Sequence, residues 1–297
     1  MRINPNIMQN MVSLMDQAQQ NVNNAALELS TGRKVNVPSD NPSAEASMIQ
    51  ENAQATAVDQ YTSNSDALNA RLSTANSTIS EVVTLMQRAL TLATEGASSG
   101  LSQTNLNSLA TEVSGIKSQV MSLANTSYGG NYLFGGTYNA GPPYSVDSTD
   151  STKVDYNGND GQNQVQIGTG LSVHANQPGS TIFSQSGSSV FDALQSLVTA
   201  LQSGDTTSIS TAQTSVTNAL NTVNTAQVFY GNTLNELTNN DTFLSQEKVN
   251  LTTYENSLVA ADTATAATDM TQASTTLNAT IAAAAKVTQV SLMDYIK

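Results

Sequence analysis

The amino-acid sequence predicts a mostly α-helical protein with a small β-rich insert, in which the N- and C-terminal helices pair as a coiled coil. Two observations carry this prediction. Near both ends of the 297-residue chain, apolar residues recur at steps of three and four. That spacing is typical of a helix that buries one side against another helix. From about residue 127 the spacing is lost, and short runs bounded by turn residues replace it until residue 190.

The first helix is expected from about Pro5 to Leu29 or Ser30, with Gly32 breaking it. Its apolar stripe consists of Ile7, Met11, Leu14, Ala18, Val22, Ala25 and Leu29. The C-terminal helix has a similar but less regular stripe, made of Leu277, Ile281, Ala284, Val287, Leu292 and Ile296. Each stripe is buried only against another helix, so together they form the predicted assembly surface. The alternative is a helix pair within one chain that needs no neighbour.

A loop from Gly32 to Asn41 separates the first two helices. Asp40 or Asn41 can cap the second helix, and Pro42 fits its first turn, where a missing N–H costs little. The second helix is expected from about Pro42 to Thr94. Its stripe consists of Tyr61, Leu68, Leu72, Ala75, Ile79, Val82, Met86, Leu90 and Ala93, with Ser65 as the one polar member. A third helix follows, with Leu106, Leu109, Val113, Ile116, Val120 and Leu123 on one side.

The insert is predicted to be β-rich. An aromatic segment flanked by glycine turns, from Tyr128 to Thr137, opens it. Short runs at 153–156, 164–167 and 171–173 are expected to be strands. Asn157-Gly158 and Asp160-Gly161 supply turn chemistry, so at least one hairpin is expected around them.

Helical spacing returns at Val190 and continues to the C-terminal helix. The expected organisation has three domains. Residues 1–40 and 258–297 form a terminal coiled-coil domain, residues 41–135 and 188–257 form a bundle of long helices, and residues 136–187 form the outer β-rich insert.

Composition excludes several classes of function. Lys and Arg total 10 against 23 Asp and Glu, a net charge of −13. Without clustered cations, neither nucleic acid nor an anionic membrane surface is an expected partner. The chain has no cysteine, which removes disulfides, thiolate metal sites and cysteine nucleophiles. Residues 1–6 lack the apolar core of a cleaved signal peptide, so any export is expected to use another route.

Three features suggest chemistry, and each has a simpler structural interpretation. The run 155–161 resembles a calcium loop but lacks Gly at its sixth position and Glu at its twelfth, so a turn is favoured. His174 is the only histidine and has no evident partner for base catalysis, so an ordinary strand residue is favoured. The glycines at 129–130 and 135–136 match no phosphate-loop motif and are expected to permit chain reversal. No cofactor or metal is predicted, and an enzyme is the least favoured class.

Three stretches carry a family resemblance. Residues 29–44, LSTGRKVNVPSDNPSA, resemble the N-terminal signature of the bacterial flagellin superfamily. Residues 285–296, AKVTQVSLMDYI, and residues 132–137, YLFGGT, are similar to the superfamily's hook–filament junction proteins. Residues 156–167 also resemble the first hairpin of their insert. Asn41 stands where the superfamily commonly has Asp, a difference that leaves helix capping possible.

The resemblance implies a structural subunit that is exported unfolded by the flagellar type III apparatus, without a cleaved signal peptide. It also implies a ring between hook and filament, in contact with the other junction protein and with flagellin. A cytosolic export chaperone would bind the C-terminal helix. Arg33, Lys34 and Asp40 would form a loop that contacts a neighbouring subunit, although for Arg33 and Lys34 a solvated loop is the favoured interpretation. The alternatives are a flagellin of the filament itself and, from another class, a secreted adhesin or coiled-coil effector.

Overall fold

The structure is a computed structural model that describes residues 6–98 and 100–295, with side chains described for residues 9–98 and 100–286. Within these residues the chain is mostly helical, as the sequence predicts. The helices are α1 (Asn6–Thr31), α2 (Pro42–Gly96), α3 (Gln103–Ala124), α4 (Gly179–Ile182), α5 (Val190–Ser203), α6 (Thr206–Val259) and α7 (Thr263–Tyr295). The boundaries predicted for the first two helices are confirmed to within about two residues, and the third predicted helix is present as α3.

Local chemistry explains where the helices begin and end. Asn41 precedes α2, and its Oδ1 accepts a hydrogen bond from the N–H of Ala44 at 3.1 Å. Ser102 caps α3 by accepting from the N–H of Asn105. Gly204 ends α5 in the left-handed conformation, with φ of 71°. These are the capping residues that helix termini prefer.

The insert contains three antiparallel strand pairs. The strands are β1 (Ser127–Tyr128), β2 (Asn131–Tyr132), β3 (Tyr144–Val146), β4 (Val154–Tyr156), β5 (Gln164–Gly168) and β6 (Leu171–His174), and they pair as β1–β2, β3–β4 and β5–β6. Gly129 and Gly130 join the first pair with φ of 57° and 82°. Positive φ at both central residues defines the type I′ turn of a tight hairpin, which confirms the chain reversal predicted there.

One feature predicted for the insert is wrong. The sequence places a hairpin around Asn157-Gly158 and Asp160-Gly161, but β4 pairs with β3, and β5 pairs with β6. Residues 157–163 therefore connect two hairpins. Asn159 fixes this connection, since its Oδ1 accepts from the N–H of Thr137 at 2.8 Å and from the N–H of Gly161 at 3.0 Å. The turn residues are used to fold the connection back onto residues 135–137.

Backbone contacts divide the chain into two compact units. The first consists of Met1–Ala57 and Gln246–Lys297, and the second is Val58–Ser245. Both α2 and α6 contribute to each unit. The insert lies wholly within the second unit, where Tyr144 and Ile167 share one hydrophobic core with the helices. The three-domain division given by the sequence stays a prediction.

The core of the second unit is built from the stripes that the sequence identifies. Leu72, Ile79, Val82 and Met86 of α2 are fully buried. Aromatic rings join the insert to the helices, with Tyr144 of β3 and Phe191 of α5 in contact at a centroid distance of 5.1 Å. Burial of such side chains is the main source of stability for this unit.

Ser65, the polar member of the α2 stripe, is also fully buried. Its hydroxyl donates a hydrogen bond of 2.5 Å to Oδ1 of Asp241 on α6. The β5–β6 hairpin makes similar bonds nearby, where Asn240 Nδ2 donates to the carbonyl of Ile167 at 2.8 Å and Asn64 Nδ2 donates to that of Gln166 at 2.9 Å. Polar pairing therefore replaces apolar contact at this end of the second unit.

Candidate assembly surface

The first unit contains the paired terminal helices, since α1 packs along α7. A short antiparallel bridge joins Arg33 to Ala260. There the N–H of Lys34 donates to the carbonyl of Val259 at 2.7 Å, and the N–H of Ala261 donates to that of Gly32 at 2.9 Å. Because α1 ends just before this bridge and α7 begins just after it, the two helices run antiparallel.

The α1 stripe is only partly buried by this pairing. Ala18 and Ala25 are buried, and Met11 and Val22 are half-buried. Leu14, in contrast, keeps 55% of its surface exposed, and Leu29 keeps 37%. The small members of the stripe therefore face α7 most closely, whereas the two leucines remain largely in contact with solvent.

The α7 stripe behaves in the same way. Leu277 and Ala284 are half-buried, while Ile281 is 44% exposed. The side chains of Ile7, Val287, Leu292 and Ile296 lie outside the described residues. Val12 and Leu27, which are not members of the predicted stripe, add two further exposed apolar side chains on α1. These exposed apolar side chains are the candidates for contact with another chain.

The loop residues predicted to contact a neighbouring subunit make mostly internal contacts. Oδ2 of Asp40 accepts hydrogen bonds from the N–H groups of Asn36 and Val37, both at 3.0 Å. Nη2 of Arg33 lies 3.7 Å from Oε1 of Glu255 and 3.7 Å from the sulfur of Met48. Lys34 is exposed and forms no ion pair with any described side chain.

A small apolar cluster supports this loop, and the sequence analysis missed it. Val35, Ala44, Met48 and Val259 are buried together beneath residues 33–40. They bring the loop, the start of α2 and the end of α6 into contact within the first unit. The signal available in the sequence was the alternation Val35-Asn36-Val37, in which the first valine is buried and the second is exposed.

The features that suggested chemistry in the second unit lie in a strand or in the connection between hairpins. Asp160, in the calcium-like run, accepts a hydrogen bond from the Ser180 hydroxyl. His174 lies in β6 opposite Gln164. Among the described residues, no group of three or more His, Cys, Asp or Glu side chains is arranged to hold a metal ion. In the same residues, no helix is both long and apolar enough to cross a membrane.

Lys117 is a partly buried lysine of the second unit. Its Nζ donates to the backbone carbonyl of Thr152 and, at 2.8 Å, to Oε1 of Gln195. Desolvation by burial lowers the pKa of this ammonium group, while Asp192 and Asp150 act in the opposite direction. Because its donors are used to tie α3 to α5 and to the β3–β4 connection, Lys117 has a structural role.

A polar cavity of about 750 Å³ lies beside α4 and α6 in the second unit. Its lining is formed by hydroxyl and amide side chains with a single carboxylate, that of Asp160. An active site needs a group activated by its neighbours. Asp160 is the single carboxylate of the lining, and its Oδ1 accepts a hydrogen bond from the Ser180 hydroxyl.

Comparison with known proteins identifies relatives of this chain. Residues 3–139 match the profile of the bacterial flagellin N-terminal helical region. The chain is 28% identical over 260 residues to flagellar hook-associated protein 3 of Escherichia coli, covering 79% of this chain and 80% of that protein. It is 30% identical over 158 residues to flagellar hook-associated protein 3 of Salmonella typhimurium, covering 52% of this chain and 48% of that protein.

Solved structures share the fold. The FlgL structure from Xanthomonas campestris matches with a TM-score of 0.62 at 18% identity, covering 69% of this chain and 99% of that one. The flagellar junction protein FlgL from Legionella pneumophila matches with a TM-score of 0.59 at 16% identity, covering 70% of this chain and 99% of that one. The flagellin-like fold and the resemblance to junction proteins, both predicted from the sequence, are confirmed.

Proposed function

We propose that this chain is a structural subunit of the bacterial flagellum, forming the adaptor ring between hook and filament on which flagellin polymerises. The observation that carries the proposal is the 28% identity to hook-associated protein 3, which extends over four-fifths of both chains. A mechanical role also fits the structure, because its described polar groups tie helices and hairpins together. The alternative of a flagellin is less supported, since both curated relatives are hook-associated proteins.

In this proposal, ring formation covers the apolar side chains that the α1–α7 pair leaves exposed. Leu14, Leu29 and Ile281 would contact the helices of neighbouring subunits, and their burial would supply the driving force for assembly. Residues 1–40 and 258–297 would form the inner tube, and the insert at 136–187 would lie outermost. The other junction protein would lie on the hook side and flagellin on the filament side.

The loop contributes to the proposed contacts in a restricted way. Asp40 is used to close the loop, and Arg33 faces Glu255 of the same chain. Lys34 is therefore the loop side chain best placed to reach an acidic group on a neighbouring subunit. A charge pair of this exposed kind contributes about 0–1 kcal/mol, so it would orient the contact more than strengthen it.

Export forms a further part of the proposal. The subunit would leave the cell unfolded through the flagellar type III apparatus, and a cytosolic chaperone would hold α7 before export. Before export, when α7 is not yet paired with α1, its exposed apolar side is a suitable ligand for a groove on another protein. If deletion of the residues after Leu277 leaves chaperone binding intact, this part of the proposal is wrong.

The test is deletion of the gene, followed by electron microscopy of the cell surface and an immunoblot of the medium for flagellin. We expect bare hooks with abundant unpolymerised flagellin in the medium. Bare hooks without flagellin in the medium would instead identify the chain as the filament subunit, and normal filaments would refute a junction role.

Complementation of the deletion strain locates the assembly surface. The variant Leu14→Asp places a charge on the exposed part of α1, and Gln17→Asp is the matched control at another exposed position of the same helix. We expect the first variant to be secreted but to leave hooks bare, and the control to restore filaments. Equal recovery of filaments would remove Leu14 from the assembly surface.

A further inference from the structure

Two dipeptides in the β4–β5 connection place a glycine after an acidic or amide side chain. These are Asn157-Gly158 and Asp160-Gly161. In such a pair the backbone nitrogen of the glycine can attack the side-chain carbonyl of the preceding residue, because no Cβ shields the nitrogen. The attack requires a nitrogen that is not held in a hydrogen bond and a side-chain carbonyl that solvent can reach. The structure separates the two pairs on these criteria.

At the first pair neither the glycine nitrogen nor the side-chain carbonyl is held in a hydrogen bond by the described residues. Asn157 is exposed, and the N–H of Gly158 donates no hydrogen bond to any described residue. The carboxamide of Asn157 is held only through its nitrogen, since Nδ2 donates to Oγ of Ser145 at 2.8 Å. Its Oδ1 accepts no hydrogen bond from any described residue, and the side chain as a whole is exposed.

At the second pair the nucleophile is occupied. The N–H of Gly161 donates to Oδ1 of Asn159 at 3.0 Å, and the Asp160 carboxylate accepts from the Ser180 hydroxyl. Asn139 in the same region is also restrained, and it precedes an alanine and not a glycine. Its Oδ1 accepts from the N–H of Tyr132 at 3.1 Å, and its Nδ2 donates to Oδ1 of Asn131 at 2.6 Å.

We propose that Asn157 is a site of spontaneous deamidation in the folded protein. The nitrogen of Gly158 loses its proton to a solvent base and forms a bond with Cγ of Asn157, and Nδ2 leaves as ammonia. The resulting five-membered succinimide is opened by water at either carbonyl, which gives aspartate or isoaspartate at position 157. The overall change consumes one water and releases one ammonia, and it needs no enzyme, oxidant or cofactor.

Packing explains why the reactive pair is built into the fold. A Cβ at position 158 would lie 2.5 Å from Cζ and the hydroxyl oxygen of Tyr156. That ring is restrained, because its single O–H lies within hydrogen-bond distance of two carbonyl oxygens, that of Asn159 at 2.9 Å and that of Phe134 at 3.1 Å. A side chain at 158 would therefore have to displace the Tyr156 ring, so glycine is favoured there, and Asn157 is the residue to change in order to prevent the reaction.

The products would alter this connection in two ways. Either product replaces the Nδ2 donor to Ser145 with a carboxylate and adds one negative charge to a chain that already carries −13. Isoaspartate also lengthens the main chain by one methylene between residues 157 and 158. Such a lengthening displaces Gly158 from the Tyr156 ring. It also strains the hydrogen bond that the N–H of Asn159 donates to the carbonyl of Gly135, which is 3.2 Å long in the unmodified protein.

The test is incubation of the full-length folded protein at mildly alkaline pH, followed by peptide mapping with mass spectrometry. Deamidation raises the mass of the peptide containing Asn157 by about one dalton. A synthetic peptide of residues 153–162 gives the unrestrained rate. Asn139 and the Asp160-Gly161 pair are internal controls, and Asn157→Gln, which would have to form a larger ring, is the unreactive variant.

We expect Asn157 to react at least about tenfold faster than Asn139, a difference of ~1.4 kcal/mol in activation free energy. Its rate should lie within about tenfold of the peptide's rate, and isoaspartate at 160 should form more slowly than at 157. If the folded protein reacts more slowly than that, or if Asn139 reacts as fast as Asn157, the proposal is overturned.

Discussion

Ser65 offers a direct test of how α2 and α6 are held together in the second unit. From the sequence, Ser65 interrupts an apolar stripe, so a leucine there would be expected to complete the stripe and stabilise the helix pair. The structure leads to the opposite expectation. Ser65 is fully buried and donates to the Asp241 carboxylate at 2.5 Å. A leucine would have to occupy space that now holds a serine, and it would leave the carboxylate without its donor.

The expected magnitude follows from the type of bond. A hydrogen bond to a charged group contributes about 1.5–3 kcal/mol to stability. We therefore expect Ser65→Ala to lower the unfolding free energy by about that amount. For a unit of this size, the loss corresponds to a fall in Tm of ~3–12 °C. Ser65→Leu should be at least as destabilising as Ser65→Ala, because overpacking of a filled site costs a further ~1–3 kcal/mol.

Thermal unfolding followed by circular dichroism measures both variants. A double-mutant cycle with Asp241→Ala separates the pairwise term from the effects of each substitution alone. We expect a coupling energy of about 1.5–3 kcal/mol between the two positions. A stabilising Ser65→Leu, or a coupling energy near zero, would refute the view that this buried pair holds the helices together.

Three further predictions concern stability. Leu72→Ala should lower the unfolding free energy by about 2–5 kcal/mol, because Leu72 is fully buried. Val228→Ala, at a side chain that is 60% exposed, should change it by less than about 0.5 kcal/mol. Chemical denaturation of the two variants measures the difference. Asn41→Ala should cost about 0.5–2 kcal/mol through loss of the α2 cap, while Asn41→Asp should be neutral or stabilising, and retention of full stability by the alanine variant would exclude a capping role. Burial raises the pKa of the Tyr144 and Tyr230 hydroxyls well above its usual value. The stability that comes from keeping these two hydroxyls protonated is therefore complete below about pH 10 and is lost as the pH rises further. An alkaline unfolding series that compares the wild type with the double Tyr→Phe variant measures this loss.

Helix positions could be predicted from the sequence because helix formation depends largely on residues close together in the chain. The spacing of apolar residues identified α2 and α3, and Asn41 with Pro42 marked where α2 begins. Each of these signals lies within a few residues of the boundary that it specifies. The same reasoning predicted the turn at Gly129-Gly130, since only glycine readily adopts two successive positive φ angles.

Strand pairing could not be predicted in this way because distant residues select it. The runs that became β4 and β5 were identified, but their partners were not. Asn125 follows α3 and makes two hydrogen bonds to the backbone of Tyr144. Its Oδ1 accepts from the N–H at 2.8 Å, and its Nδ2 donates to the carbonyl at 2.9 Å. These two bonds align β3 with the helices, and β4 then pairs with β3. Turn residues at 157–161 indicated a reversal without indicating which strands it would join.

The terminal helices show a different limit of sequence reasoning. The apolar spacing predicted that α1 and α7 pack together, but it could not tell which stripe members the pairing would bury. In the first unit, Ala18 and Ala25 are buried against the paired helix, while Leu14 and Ile281 stay largely exposed. Small residues allow two helices to approach closely, and the longer side chains beside them are then left at the edges of the contact.

This arrangement bears on assembly through simple energetics. Burying a leucine or isoleucine contributes about 1.5–3 kcal/mol, and much of that contribution is unrealised at Leu14 and Ile281 in a single chain. Ordering a helix as long as α1 costs ~1–2 kcal/mol per residue in backbone entropy, which alanine contacts offset only weakly. A neighbouring subunit that covers these side chains would supply the missing contribution. Because such a contact stabilises by mass action, the terminal helices should gain stability with subunit concentration, while the second unit, with its own aromatic and aliphatic core, should not.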